Sequence, residues 1–418
     1  MGRGFLIDEL RFTPRMQILS EEQMDRFHYA ALEILERLGV RITHPKGKEL
    51  LAAAGCQIVG DQVFFPPHVV EKALIMAPHR LVLGNRDNTR AVQVEDRRTW
   101  FGPTLDCINY LDPDTDERSP CVSEHIKVMA RLCDKLDNYT WNMTLGLSDD
   151  YPATMADKVA SRIAMENCRK PTVCCCADKA SLNEIYEMAV LCQGGKEEFE
   201  RNPFLLHLAD PASPLLYYDP VVAKIIFCAE KKIPLINFPG IQAAGTSPAT
   251  LAGTIVQASA ESLSGLVLHQ MANPGAPFIY GAFATIMDMR TTVFSYGAIE
   301  MALIVGALAQ MAQRYQLPFY GTAGCTDSQV VDIQAGVEGA LQDLVSASVG
   351  EGLVHDTHCW LDHGSTVAPT YLVLCQEILG MVKQFMNGVS VTDENLALEV
   401  MKKVGSGGNC LREKQTMH

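Results

Sequence analysis

The sequence predicts an α/β protein, a (β/α)8 barrel preceded by a helical and small β extension. Three observations predict it. Short runs rich in β-branched and aromatic residues recur eight times, with starts roughly 30 to 44 residues apart, room for one strand, one helix and two loops per unit. A run with helical apolar spacing follows each of them. No second sheet pattern interrupts the series, and no Gly-x-Gly-x-x-Gly follows an early strand, so an open dinucleotide-binding sheet loses its main support.

Taken in order, residues 21–38 place Met24, Phe27, Ala30, Ala31, Ile34, Leu35 and Leu38 on one helical face. Between residues 57 and 96 the runs QVFFP, RLVLGN and AVQVED, separated by Gly, Pro and Asn, read as a small sheet. The eight barrel strands are then TWFGPT from Thr99, TWNMTLG from Thr140, TVCCCA from Thr172, FLLHLAD from Phe204, PLINFPG from Pro234, FIYGAF from Phe278, FYGTAG from Phe319 and VHDTH from Val354. Helices are predicted over 124–136, 153–167, 181–191, 220–231, 248–271, 293–315, 332–350 and 369–386. This divides the chain into an extension at 1–98, a barrel at 99–390 and a C-terminal extension at 391–418, expected to be incomplete. In the last of these, GSGG from Gly405 reads as a helix stop and turn. The helix from Pro248 has a small face, Ala249, Ala252, Gly253, Val256, Ala260 and Ser264, suited to close packing on the barrel or on another subunit. A homo-oligomer is expected, with no interface located by sequence.

Hydrophobic residues make up 48% and charged residues 20% of the 418, a globular balance. The net charge of -14, without clustered Lys and Arg, argues against a nucleic-acid partner, because phosphate contacts need concentrated positive charge. MGRGFLIDELRF lacks the sustained apolar stretch of a signal peptide. The longest uncharged segments are broken by Ser, Thr, Gln, Pro and Gly, so no membrane span is expected. Fourteen cysteines fit thiols in a reducing cytoplasm.

Catalytic groups of such barrels sit at the C-terminal ends of the strands. His355 stands there on the eighth strand, with Asp356, His358 and His363 after it; the last two read as exposed loop residues. Asp288 and Arg290 follow the sixth strand, Asp327 and Ser328 the seventh. Arg290 could clamp a carboxylate bidentately or form an ion pair with Asp288 or Glu300. Asp327 is a candidate catalytic group or the cap of the helix opening near Val331. Cys174 and Cys176 point one way in a strand and Cys175 the other, so the triplet cannot converge on a metal and reads as buried thiols. Aromatic residues recur at strand ends, with Phe101, Phe283 and Trp360 the preferred wall for a cation without N–H groups.

Several strings carry a resemblance: TSPATLAG, NPGAP, YGAF, DMRT, YGAIEMAL and YGTAGCTDS, in that order between residues 241 and 376. The chain is similar to the trimethylamine methyltransferase family over most of its length. The resemblance implies a (β/α)8 enzyme moving a methyl group from a methylated amine to the Co(I) corrinoid of a partner protein. The family's trimethylamine enzymes carry pyrrolysine in the barrel, whereas only standard residues occur here. That departure implies a quaternary amine substrate, glycine betaine first, with proline betaine and carnitine as rivals. Cobalamin is expected on the partner, since no corrinoid-binding Asp-x-His-x-x-Gly run is present, and no metal is assigned to this chain. The rival readings are a metal-dependent lyase or hydrolase built on His355, and a non-catalytic betaine-binding protein.

Overall fold

The parallel strands of the core read as near-continuous apolar runs because both of their faces are covered. In a computed structural model that describes residues 11–89, 92–95, 97–357 and 360–416, seven such strands form one sheet. They are β1 (Thr99–Phe101), β2 (Thr172–Cys174), β3 (Leu205–Ala209), β4 (Leu235–Asn237), β5 (Phe278–Gly281), β6 (Phe319–Thr322) and β7 (Gly352–His355). Their order is β2-β3-β4-β5-β6-β7-β1, and every pair is parallel, giving a half-barrel.

The run predicted from Thr140 is not a regular strand. Residues 139–142 instead make single parallel bridges to both edges, Tyr139 to Phe101 and Asn142 to Thr172. The Trp141 indole donates to the Trp100 carbonyl at 3.0 Å and fills the space beside Gly102 that a Cβ would need. A ring wedged at that point leaves too few consecutive residues in ladder register.

Helices follow the strand ends: α1 (Ser123–Lys135), α2 (Ala153–Asn167), α3 (Lys179–Cys192), α4 (Asp219–Lys231), α5 (Leu251–Ala272), α6 (Ile299–Arg314), α7 (Ile333–Val349) and α8 (Pro369–Met386). Two starts fall three or more residues after the predicted ones, for local reasons. The Thr250 hydroxyl accepts from the Gly253 N–H at 3.3 Å and sets the start of α5 after Pro248. Residues 293–298 stay out of α6 because the Ser295 N–H bonds back to the Ile286 carbonyl and the Tyr296 N–H is taken by Asp327.

Before the sheet, helix Glu21–Glu33 opens on a capping box between Ser20 and Gln23 and runs on as a wider turn over Ile34–Leu38. Strands Val40–Ile42, Gln57–Val59 and Gln62–Phe64 form a small sheet joined by Leu216–Tyr217 from the β3–α4 connection. Leu81–Leu83 and Val92–Val94 form a separate pair. Leu35, Val40 and Phe65 belong to the same buried cluster as Leu206, Ile236 and Ile279 of the large sheet.

Among the described residues α5 has the length and mean hydropathy, 1.3, to cross a membrane. Its apolar stretch is 78% buried inside the protein. Helices Glu21–Glu33, Pro45–Ala53 and Pro67–Met76 and helix α4 pack on it; of the small face noted in the sequence Ala260 and Ser264 are buried, whereas Ala249 and Ala252 stay exposed.

Candidate active site

The last residue of β7 brings a titratable ring to the end of the sheet. His355 is 2% exposed, with Nδ1 2.8 Å from the Gly321 carbonyl and 3.1 Å from the Thr322 hydroxyl. A carbonyl oxygen only accepts, so Nδ1 carries the hydrogen. On the other side Nε2 lies 2.9 Å from Asp356 Oδ2, an ion-pair distance without hydrogen-bond alignment, and Cys325 also approaches this carboxylate. The Thr104 hydroxyl donates to Asp356 Oδ1 at 2.8 Å. Burial pushes the Asp356 carboxyl up from its ordinary value, against the pull of the His355 charge. Asp356 also sits at φ +62°, a left-handed conformation that short polar side chains tolerate best.

Aromatic rings surround this pair. Phe238, Tyr320 and Trp360 have centroids 4.9, 4.7 and 6.2 Å from the imidazole. Phe283 lies parallel to Trp360 at 6.3 Å, and Tyr296 lies 5.0 and 5.1 Å from the two. An N-methyl group between two rings needs about 7–8 Å, twice a carbon–carbon contact, so a methylated ammonium would lie across these faces and not between them. Two glycines make the wall possible. A Cβ on Gly281 would press on the Tyr320 carbonyl and Phe238, and one on Gly364, at φ +84°, would collide with the Trp360 indole.

The structure joins Phe283 and Trp360 to His355 but separates the other predicted members. Phe101 is turned toward the helices, in a cluster with Tyr139, Val354, Met129 and Leu372. Arg290 is exposed on the loop after strand Phe283–Ile286, where its backbone N–H donates to Asp288 Oδ1 at 2.8 Å. Among the described residues its guanidinium forms no ion pair with Asp288 or Glu300. Asp327 does not cap α7; Asp332 does, accepting from the Ala335 N–H at 3.0 Å. The Asp327 carboxylate accepts instead from the Tyr296 N–H at 2.8 Å and meets His363 Nδ1 at 3.0 Å. His363 is therefore a tie between loops, also 3.1 Å from the Phe294 carbonyl, while His358 lies outside the described residues.

The regular strand ends at Cys174, so the expected alternation of the triplet does not hold. Cys174 faces His207 at 3.8 Å, while Cys175 and Cys176 both line a cavity of about 520 Å3 with Asp106, Asp149, Asp157 and Asp210. Burial pushes the Asp106 carboxyl up to about 7. Lys224 lies 3.5 Å from Asp210 and donates to the Cys176 carbonyl, so the cavity lining itself carries no basic side chain. Among the described residues no three His, Cys, Asp or Glu side chains form a metal-holding group. A larger cavity of about 730 Å3, with Arg15, Arg80 and Arg97, opens at the opposite end, beside the first residues of β6 and β7.

With this geometry in place, the trimethylamine methyltransferase (MTTB) family model matches residues 7–418. The chain belongs to the trimethylamine methyltransferase family. Membership places it among the amine methyltransferases. Trimethylamine methyltransferase MttB of Methanosarcina barkeri is 32% identical over 96% of this chain and 82% of the relative. The MttB of Desulfitobacterium hafniense is 29% identical over 95% and 80%, and glycine betaine methyltransferase of D. hafniense strain Y51 is 28% identical over 97% and 85%. Among solved structures the monomethylamine methyltransferase MtmB of M. barkeri is alike in fold, with a TM-score of 0.55 and 13% identity over 94% of this chain and 86% of that one.

Sequence reasoning named Asp356 beside His355 without giving it a role at the ring wall, and passed over Thr104 and Tyr320. A signal existed for Tyr320: residues two apart on a strand share a face, so Tyr320 and Thr322 both flank His355. None existed for Thr104, whose loop meets Asp356 through folding across 252 residues.

Proposed function

We propose that this protein transfers a methyl group from a quaternary amine to the Co(I) corrinoid of a partner protein. The observation that carries the reading is the ring wall of Phe238, Phe283, Tyr320 and Trp360 around His355 at the C-terminal ends of the strands. A quaternary ammonium has no N–H to donate, and aromatic faces hold it by cation–π attraction. Residues 139–142, bridging both sheet edges, support reading the half-barrel as a closed (β/α)8 unit with one mouth at this wall.

Glycine betaine leads the candidates. One relative bears that name, and this chain contains only standard residues. With Arg290 away from the wall, the carboxylate of a betaine would meet the His355–Asp356 pair. The methyl carbon would pass to cobalt as its C–N bond breaks, with the bonding pair staying on nitrogen, so that neutral dimethylglycine nitrogen leaves without proton transfer. The chain's own task is then to orient the amine and exclude water. The acidic cavity beside β2 and β3 supplies a negative potential that draws the cation to the mouth.

The test is His355→Ala. Methyl transfer should fall about 100-fold, the scale of lost orientation. Unchanged transfer and unchanged betaine affinity would remove His355 from the site.

A further inference from the structure

We infer that the protein pairs with a second copy of itself through the outer face of α7, about a two-fold axis passing beside Val337. The inference goes beyond the amine reading above and does not rest on it. Parallel strands send their helices back in one direction, so the first turns of α6, α7 and α8 stand at one level around the sheet. Helix α6 packs on α7, and α7 on α8. At that level each helix turns apolar side chains to solvent: Ile299 and Leu303 from α6, Ile333, Val337 and Leu341 from α7, and Leu374 from α8, between 43% and 86% exposed. Positions 333, 337 and 341 form one helical stripe. The exposed positions of α7 are Ile333, Gln334, Val337 and Leu341, none of them charged. Its inner side is already committed within the chain, where Gln342 Nε2 donates to the Tyr296 carbonyl at 2.8 Å and Glu338 accepts from the Thr326 hydroxyl at 2.6 Å.

Size, chemistry and position point to a second copy as the occupant. Taking about 190 Å2 for a fully exposed aliphatic residue, these six present roughly 600 Å2, most of the about 800 Å2 that each partner buries in a stable dimer. A contiguous apolar patch of that size marks an interaction site, and permanent contacts between copies are the ones with an apolar, charge-depleted centre. A protein that delivers a reactant to the ring wall must face the strand ends, whereas this band lies on the flank formed by the helices. In a two-fold contact the same patch meets itself. Val337 is the middle of the stripe, so with the two α7 helices antiparallel it meets its own copy, and Ile333 meets the partner subunit's Leu341.

The mass of the full chain in solution, read by sedimentation equilibrium at micromolar concentration, is the test. The parent should weigh an even multiple of 45.9 kDa, and Val337→Glu, which puts a charge at the axis, should halve that mass with its circular dichroism kept. Val337→Cys gives a readout that does not depend on breaking the contact: oxidation by diamide should join two chains through a reducible bond. Ile75→Cys, at a 79% exposed position on helix Pro67–Met76, and the parent, with its exposed Cys192 and Cys410, set the background for that linkage. Should Val337→Glu not fold, the Val337→Cys linkage decides alone. A monomeric or odd-numbered parent would overturn the inference, as would a mass that a folded Val337→Glu leaves unchanged, or a Val337→Cys chain that links no better than the Ile75→Cys chain. Assembly seen only when a corrinoid protein is added would overturn it too and assign the band to that partner.

Discussion

At the residue scale, similar chemical types at neighbouring strand ends have different destinies because the strand face decides them. Trp360 and Phe101 were equal candidates in the sequence, yet one flanks His355 and the other packs on α1 and α8. Trp360→Ala should weaken betaine binding by about 3- to 30-fold, the cost of one cation–π face, with little change in thermal stability. Phe101→Ala should do the reverse, costing about 3–5 kcal/mol of stability in denaturant unfolding while amine affinity is kept. If instead Phe101→Ala abolished binding in a fully folded protein, the wall would be wrongly drawn. Arg290→Ala should alter methyl transfer by less than about twofold, since an exposed side chain outside any described ion pair contributes little. Period-two alternation failed for Cys176, because the strand ends at Cys174 and Cys176 lines the same cavity as Cys175. Phe101 packs toward the helices, where Tyr139 of the bridging residues 139–142 shares its buried cluster.

At the element scale, helices α2 and α8 begin and end where apolar spacing placed them, because capping and periodicity are local properties. The missing regular strand and the late start of α6 depend on partners far away in sequence, Trp100 with Trp141 and Asp327 with Tyr296, and no local pattern encodes them. Buried acids at element ends give a pH prediction. Glu351, just before β7, is 1% exposed, accepts from the Ser346 hydroxyl at 2.9 Å, and is pushed up to about 8 by burial. Its folded pKa is raised, so the favourable neutral form is fully available below about 4.5 and stability is lost as pH rises through about 8. Glu351→Gln should therefore gain on the parent by roughly 2–4 kcal/mol between pH 5 and pH 8.5, read as a widening difference in melting temperature. A constant difference across that range would mean that the carboxyl ionises without penalty.

At the scale of the whole molecule, the N-terminal segments share one core with the sheet. Val40–Ile42 pairs with Leu216–Tyr217, and Leu35 and Phe65 lie in the same cluster as the β-strand interiors. Removing residues 1–98 would strip β5-adjacent helix α5 of its cover and take away that pairing, so the remaining chain should lose cooperative thermal unfolding. A truncated chain that melts cooperatively near the parent would show an autonomous barrel. The order of strands and helices was readable because each βα unit is local. The gathering of His355, Asp356, Thr104 and the ring wall was not, because it brings together residues far apart in sequence from several strand ends and loops.

The most direct measurement is the absorbance of a validated corrinoid protein held as Co(I) and mixed with this enzyme and glycine betaine, proline betaine, carnitine, choline or trimethylamine. The account predicts conversion to methyl-Co(III) with a quaternary amine and none with trimethylamine. Conversion with trimethylamine alone, or amine binding without any conversion, would contradict it.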